Sequence, residues 1–217
     1  AGCYNLALMH ERGVGIPQNP AEAKKFYRLA CEGGYTTACN NLALMITRDG
    51  SADPNAAAKL LEAACDQGDG VACFNIGFKA ESAEIGANPQ IAASFYRRAC
   101  DLNYVEGCYY LGFLYRYGQG VEKDLERGAG FYIQACDGRY PRACSNLGSL
   151  YAHGSGVEKS PKRARFYYKK ACVLKFARGC TNLGICSEDE DKDFETAVTH
   201  YSEGCSGKDA KGCSRLG

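Results

Sequence analysis

Residues 135–157 read ACDGRYPRACSNLGSLYAHGSGV, and the two cysteines of this stretch, Cys136 and Cys144, stand eight residues apart. The same spacing returns at Cys31/Cys39, Cys65/Cys73, Cys100/Cys108, Cys172/Cys180 and Cys205/Cys213. Counted from the first cysteine of each, successive pairs lie 34, 35, 36, 36 and 33 residues apart. The flanking sequence repeats with them: NNLALM from Asn40, FNIGFK from Phe74, YYLGFL from Tyr109, SNLGSL from Ser145 and TNLGIC from Thr181. Cys3 opens the same phrase, and Cys213-Ser-Arg-Leu-Gly starts one more, so the sequence is expected to begin and end inside repeats. A constant period of this size is the signature of stacked repeats, each burying its apolar face on its neighbours.

Each repeat reads as two helices. Helix A is expected to run from the second cysteine for about twelve residues, with Leu or Ile three residues on and Gly or Ala four on. This 3–4 spacing draws one apolar stripe, and the small residue lets another helix approach closely. A glycine turn follows in three copies, Gly13-Val-Gly15, Gly118-Gln-Gly120 and Gly154-Ser-Gly156, while Arg48-Asp49-Gly50 and Glu84-Ile85-Gly86 stand in its place in two others. Helix B opens on a capping residue and proline at Asn19-Pro20, Asp53-Pro54, Asn88-Pro89 and Ser160-Pro161. Such a pair accepts from, or removes, backbone N–H groups that the first turn leaves orphaned. Helix B carries Ala23, Phe26, Tyr27 and Ala30, or Ala164, Tyr167, Tyr168 and Ala171, at helical spacing and is expected to end at the first cysteine. No alternating β-branched run competes, and the reading is an all-α solenoid.

Composition sets outer limits. Apolar residues make up 46% of the 217-residue chain and charged residues 24%, an ordinary globular balance that excludes wholesale disorder. No apolar run reaches the roughly 18 residues a membrane helix needs, so no membrane span is expected. The net charge of +1 gives no basic field for nucleic acid.

Fourteen cysteines dominate the chemistry. If helix B and the following helix A are antiparallel neighbours on a short loop, the Cα atoms of each pair fall near the roughly 5.5 Å a disulfide favours. Closing a nine-residue loop contributes about 2.5 kcal/mol in the chain-entropy picture. Zinc is the competing reading, but its ligands cluster as C-x2–4-C, and His10, His153 and His200 are the only histidines. The sequence therefore favours six disulfides, no metal and no cofactor. Disulfides in bulk imply an oxidising compartment: periplasm or extracellular space, with the ER lumen or mitochondrial intermembrane space as alternatives. Cys3 lacks its upstream partner, and Cys186 reads as a small buried hydrophobe.

The phrase A-C-x7-C-x-N-L-G-x-L-Y-x-x-G-x-G-V, as at Ala135–Val157, resembles Sel1-like repeats, relatives of the tetratricopeptide repeats, and the paired cysteines resemble the Helicobacter-type cysteine-rich proteins. The resemblance covers the whole chain and implies a right-handed α/α solenoid. It divides residues 1–217, as a single repeat domain, into helix pairs at 1–35, 36–69, 70–104, 105–140, 141–176 and 177–209, with a partial repeat at 210–217. It also implies secretion or periplasmic residence and binding of a peptide or protein, or a peptidoglycan-derived fragment, on a concave face. Members described as penicillin-binding proteins or β-lactamases suggest a hydrolase as an alternative, and a periplasmic immunity or inhibitor protein is a third.

The residues argue against catalysis. A serine β-lactamase needs S-x-x-K with S-D-N and K-T-G, and the nearest approach is Ser160-Pro-Lys-Arg. His10-Glu11 is not followed by the second histidine of H-E-x-x-H, and Ser206-Gly-Lys lacks the upstream glycine of a P-loop. A binding face is better supported. In such solenoids helix A lines the inner surface, and positions one, five and eight after its cysteine should look into the groove. The expected protein- or peptide-binding residues are Tyr4, Asn40, Leu44, Phe74, Phe78, Tyr109, Phe113 and Arg116. Clustered aromatics beside an arginine are what interface hot spots are made of. Asn41, Asn75, Asn146 and Asn182, two residues after the cysteine, either bond within the repeat stack or grip an extended backbone. The basic run around Lys159, Lys162, Arg163, Arg165, Lys169 and Lys170, and the acidic run Glu188–Asp191 with Asp193, read as solvated convex surface.

Overall fold

The computed structural model describes residues 2–48, 54–82 and 87–217; Asp53 and the turn residues Asp49, Gly50, Glu84, Ile85 and Gly86 lie outside them. The described residues form the helices α1 (Gly2–Arg12), α2 (Pro20–Glu32), α3 (Thr36–Arg48), α4 (Pro54–Asp66), α5 (Gly70–Glu81), α6 (Pro89–Asp101), α7 (Val105–Tyr117), α8 (Leu125–Asp137), α9 (Pro141–His153), α10 (Pro161–Val173), α11 (Ala177–Cys186), α12 (Phe194–Ser206) and α13 (Ala210–Ser214), with a π-turn at Ser187–Asp191. Odd-numbered helices are A helices and even-numbered ones B helices. They belong to two compact units, Ala1–Tyr104 and Val105–Gly217. Within each unit every helix packs on the next, as α1 on α2 and α2 on α3, or α9 on α10 and α10 on α11.

The caps explain the helix starts. Asn19 accepts from the N–H groups of Ala21 and Glu22, Asn88 from Ile91 and Ser160 from Arg163. Asp124 and Asp193 cap α8 and α12 with no proline behind them, a start that the Asx-Pro pattern does not reveal.

Helix A begins three residues earlier than expected, at Thr36, Gly70, Val105, Pro141 and Ala177 rather than at the cysteine. The reason is a one-residue reversal three positions after the first cysteine of each pair. Gly34, Gly68, Asn103, Arg139, Lys175 and Lys208 all stand at positive φ, between 62° and 91°. The N–H after it closes the turn, as Tyr35 donates to Ala30 O and Phe176 to Ala171 O, both at 3.0 Å. So tight a reversal brings the end of helix B and the first turn of helix A together. The bridged Cα atoms lie 4.7 Å apart in Cys31–Cys39 and Cys136–Cys144, 4.8 Å in Cys65–Cys73, and 4.5 Å in Cys172–Cys180 and Cys205–Cys213. Cys100 and Cys108 are disulfide-bonded as well. Within each unit, neighbouring repeats are thus joined covalently where helix B hands over to helix A.

The core is a stack of small residues and rings. The glycine four residues after the helix-A cysteine lies under a helix-B tyrosine: a methyl on Gly77, Gly112, Gly148 or Gly184 would meet the ring of Tyr96, Tyr132, Tyr168 or Tyr201 at 2.6–3.0 Å. These rings are buried, as are Leu42, Leu61, Leu111 and Leu147 between them. Gly154 and Gly156 both take positive φ, and a side chain on Gly156 would strike Leu125 O at 2.3 Å, so only glycine fits that turn.

Candidate functional site

The helix-A faces carry the residues singled out for binding. In the first unit, Phe74 on α5 is half-buried against Tyr96 at 5.5 Å and Tyr104 at 5.3 Å, while Phe78, one turn on, is 50% exposed. Tyr4 on α1 is half-buried, its ring 4.7 Å from Tyr35 and 5.8 Å from Tyr27. Leu44 is half-buried beside the core of α3.

Two of the recurring amides bond within the stack. Asn40 is buried, and its Oδ1 accepts from Asn75 Nδ2 at 2.7 Å, which links α3 to α5. Asn41 Nδ2 donates to the hydroxyls of Tyr27 at 3.4 Å and Tyr4 at 3.5 Å. Asn182 is half-buried on α11.

In the second unit, Tyr109 on α7 is half-buried with its ring 4.9 Å from Tyr140 and 5.7 Å from Tyr132. Phe113 lies 4.6 Å from Tyr117, which is 53% exposed, and the Arg116 guanidinium sits 5.4 Å over the Tyr117 ring. Sequence reasoning missed Tyr117, which stands nine residues after the cysteine, one beyond the positions expected to face the groove. Burial pushes the Tyr132 hydroxyl up to about 12, the neighbouring Tyr109 adds to the rise, and Arg116 and Asn146 oppose it. Burial also raises Tyr109, against the pull of Arg142 and Asn146.

The remaining polar groups mostly have structural partners. Ser160 Oγ accepts from the Arg163 N–H as a helix cap. His10 stacks on Phe26, His153 Nδ1 reaches Ser149 O at 2.8 Å, and His200 pairs with Glu203 at 3.2 Å. Within the basic run, Lys170 bridges to Asp137 at 2.9 Å. Glu188, in the acidic run, pairs with Arg215 at 2.8 Å. Among the described residues, Cys172, Cys180 and Glu203 come close enough to suggest a metal centre, but the two sulfurs are bonded to each other at 2.04 Å, which leaves no thiolate to ligate. Cavities of about 690 and 510 Å³ flank the same bridge between α10 and α12, and no residue singled out for peptide binding lines either.

Helix pairs that pack on one another within each unit, stapled by disulfides and displaying their A-helix side chains, define a helical-repeat scaffold. The Sel1 repeat profile matches residues 1–35, 36–69, 70–104, 105–140 and 141–172, and the chain belongs to that family. Sel1 repeat proteins generally bind other proteins. No curated protein sequence matches the chain. Among solved structures it resembles c5321, a protective antigen of uropathogenic Escherichia coli strains with an SLR fold, at a TM-score of 0.88 and 23% identity, covering 99% of this chain and 47% of that one. The chain thus spans about half the length of that antigen. It resembles a Sel1 repeat protein from Oxalobacter formigenes at 0.77 and 25%, covering 92% and 86% of the two chains. Immunity protein Pa5087 from Pseudomonas aeruginosa follows at 0.53 and 19%, covering 97% and 82%. Helicobacter pylori cysteine-rich protein B is also a neighbour, at 0.42 and 24%, covering 77% and 97%. Among the described residues no helix is long and apolar enough to cross a membrane.

Proposed function

We propose that the chain is a periplasmic or secreted interaction scaffold that captures a peptide or protein segment on its A-helix faces. The observation that carries this reading is an exposed aromatic on a helix A of each unit: Phe78 is half exposed beside Phe74 on α5, and Tyr117 is half exposed beside Phe113 and Arg116 on α7. Large rings in water with an arginine at hand match the composition of binding hot spots. Disulfides support both halves of the proposal. They belong to an oxidising compartment, and they hold neighbouring helices in register before a partner arrives, which lowers the ordering entropy lost on binding. Panning a displayed random-peptide library against the oxidised chain tests it. Enriched peptides are expected to slow hydrogen exchange along α5 or α7. No enrichment, or protection confined to B helices, would overturn the reading.

A further inference from the structure

Three of the six helix pairs share a contact that the α7/α8 pair replaces with a cation; in the α9/α10 pair Ala152 stands at the same position and Ser149 lies against the hydroxyl of Tyr168. The buried helix-B tyrosine donates its hydroxyl to a glutamate eight residues after the helix-A cysteine: Tyr27 to Glu11 at 2.5 Å, Tyr96 to Glu81 at 2.7 Å, and Tyr201 to Glu188. Where α4 carries Leu61 in place of tyrosine, the glutamate is gone too, and Thr47 at that position bonds Ala43 O within its own helix. In the α7/α8 pair the tyrosine remains, as Tyr132, but the glutamate is replaced by Arg116. Tyr132 is fully buried; the Arg116 and Asn146 donors stand near its oxygen without closing a well-formed bond, and among the described residues no acceptor receives its proton. A buried hydroxyl left unmatched is expensive. Beside it, next to the Tyr109 phenol, stand two donors able to hold an anion: the half-buried Arg116, with no carboxylate partner among the described residues, and the Asn146 amide of α9.

The geometry points to a carboxylate-binding site at Tyr132, Arg116 and Asn146, filled by an acidic side chain or chain terminus of the captured partner. It rests on the scaffold reading above and gives the partner's chemistry. The sister pairs show that this fold seats a carboxylate oxygen at hydrogen-bonding distance from the same hydroxyl. A guanidinium fork adds the planar, charge-assisted recognition that carboxylates receive best. Phe113 and Tyr117 lie next to Arg116 and would cover an apolar group beside the acid.

The test titrates the nitrogen-15-labelled full chain with N-acetyl-phenylalanine, with N-acetyl-glutamic acid α-amide, and with the uncharged N-acetyl-phenylalaninamide, and follows the Arg116 Nε–Hε resonance. At least one acid is expected to shift it saturably, about tenfold or more tightly than the amide. The tighter acid tells a chain terminus from a side chain. Arg116→Glu restores the internal pair, so it should raise the melting temperature and abolish the response to acid. Should that variant fail to fold, Arg116→Gln is expected to lose the response as well. Equal shifts from acid and amide, no shift from either acid, or an acid response that survives the substitution would each overturn the site. If panned peptides still protect α5 or α7 after such a failure, the scaffold stands without its carboxylate pocket; if panning also returns nothing, both fall.

Discussion

Gly148 lies flat under the ring of Tyr168, so close that a methyl group on its Cα would come within 2.6 Å of the tyrosine Cδ1. The contact ties helix A of a repeat to helix B at a position where a side chain has no room, and Tyr168 is itself buried. Gly148→Ala is therefore expected to destabilise by about 1–3 kcal/mol, the usual penalty for overpacking. Gly130→Ala is the control: it lies on the exposed side of α8 with nothing within 4 Å, and gains about 0.5–1 kcal/mol from lower unfolded-chain entropy. Urea unfolding followed by circular dichroism checks both, and a neutral Gly148→Ala would disprove the contact's role.

The buried phenols make the chain sensitive to alkali. Burial raises Tyr132, Tyr140 and Tyr168 from 10.0 to about 12. Unfolded chain then loses these protons near pH 10 while folded chain keeps them, so the stabilisation is complete below pH 10 and disappears between 10 and 12. Absorbance of tyrosinate against pH is expected to show exposed tyrosines ionising first, and the buried set ionising only as helical ellipticity falls. One smooth transition with ellipticity intact to pH 12 would contradict the packing.

Cysteine accessibility gives a third prediction. Cys3 is exposed and Cys186 is buried, both outside the bridges. Iodoacetamide is expected to add one label to the native oxidised chain and a second only in denaturant, with all other cysteines protected. Replacing both members of one pair, Cys136→Ser with Cys144→Ser, is expected to lower stability by about 2–3 kcal/mol.

How far the sequence could be read follows from what repeats and what merely pairs. The cysteines state the period, the Asx-Pro and Ser-Pro pairs mark helix starts, and the bridges follow from antiparallel neighbours on a short loop, because each of these signals is local. Helix A nonetheless begins three residues early, since Asn103, Arg139, Lys175 and Lys208 take a left-handed turn that side chains rarely adopt and that no residue type announces. The tyrosine–glutamate pairs escaped for a different reason. Glu11, Glu81 and Glu188 sit at a position that points toward a binding face when helix A is considered alone, and only the placement of helix B shows the hydroxyls they receive. The sequence carried only a partial signal: tyrosine and glutamate disappear together in the α3/α4 pair, but Tyr132 and Tyr168 stand without a glutamate, opposite Arg116 and Ala152. The bond between Asn40 and Asn75 was hidden in the same way, because it crosses 35 residues of sequence.

The most direct test of the scaffold is a titration of one panned peptide, fluorescently labelled, against the native chain, Phe113→Ala and Phe166→Ala. Phe166 is 60% exposed on the B helix α10, so its loss removes a surface ring of equal size from the opposite class of helix. The account predicts at least tenfold weaker binding for Phe113→Ala, in the range of a hot-spot truncation, and unchanged binding for Phe166→Ala. Unchanged binding for Phe113→Ala with a loss for Phe166→Ala would place the partner on the B helices and contradict it.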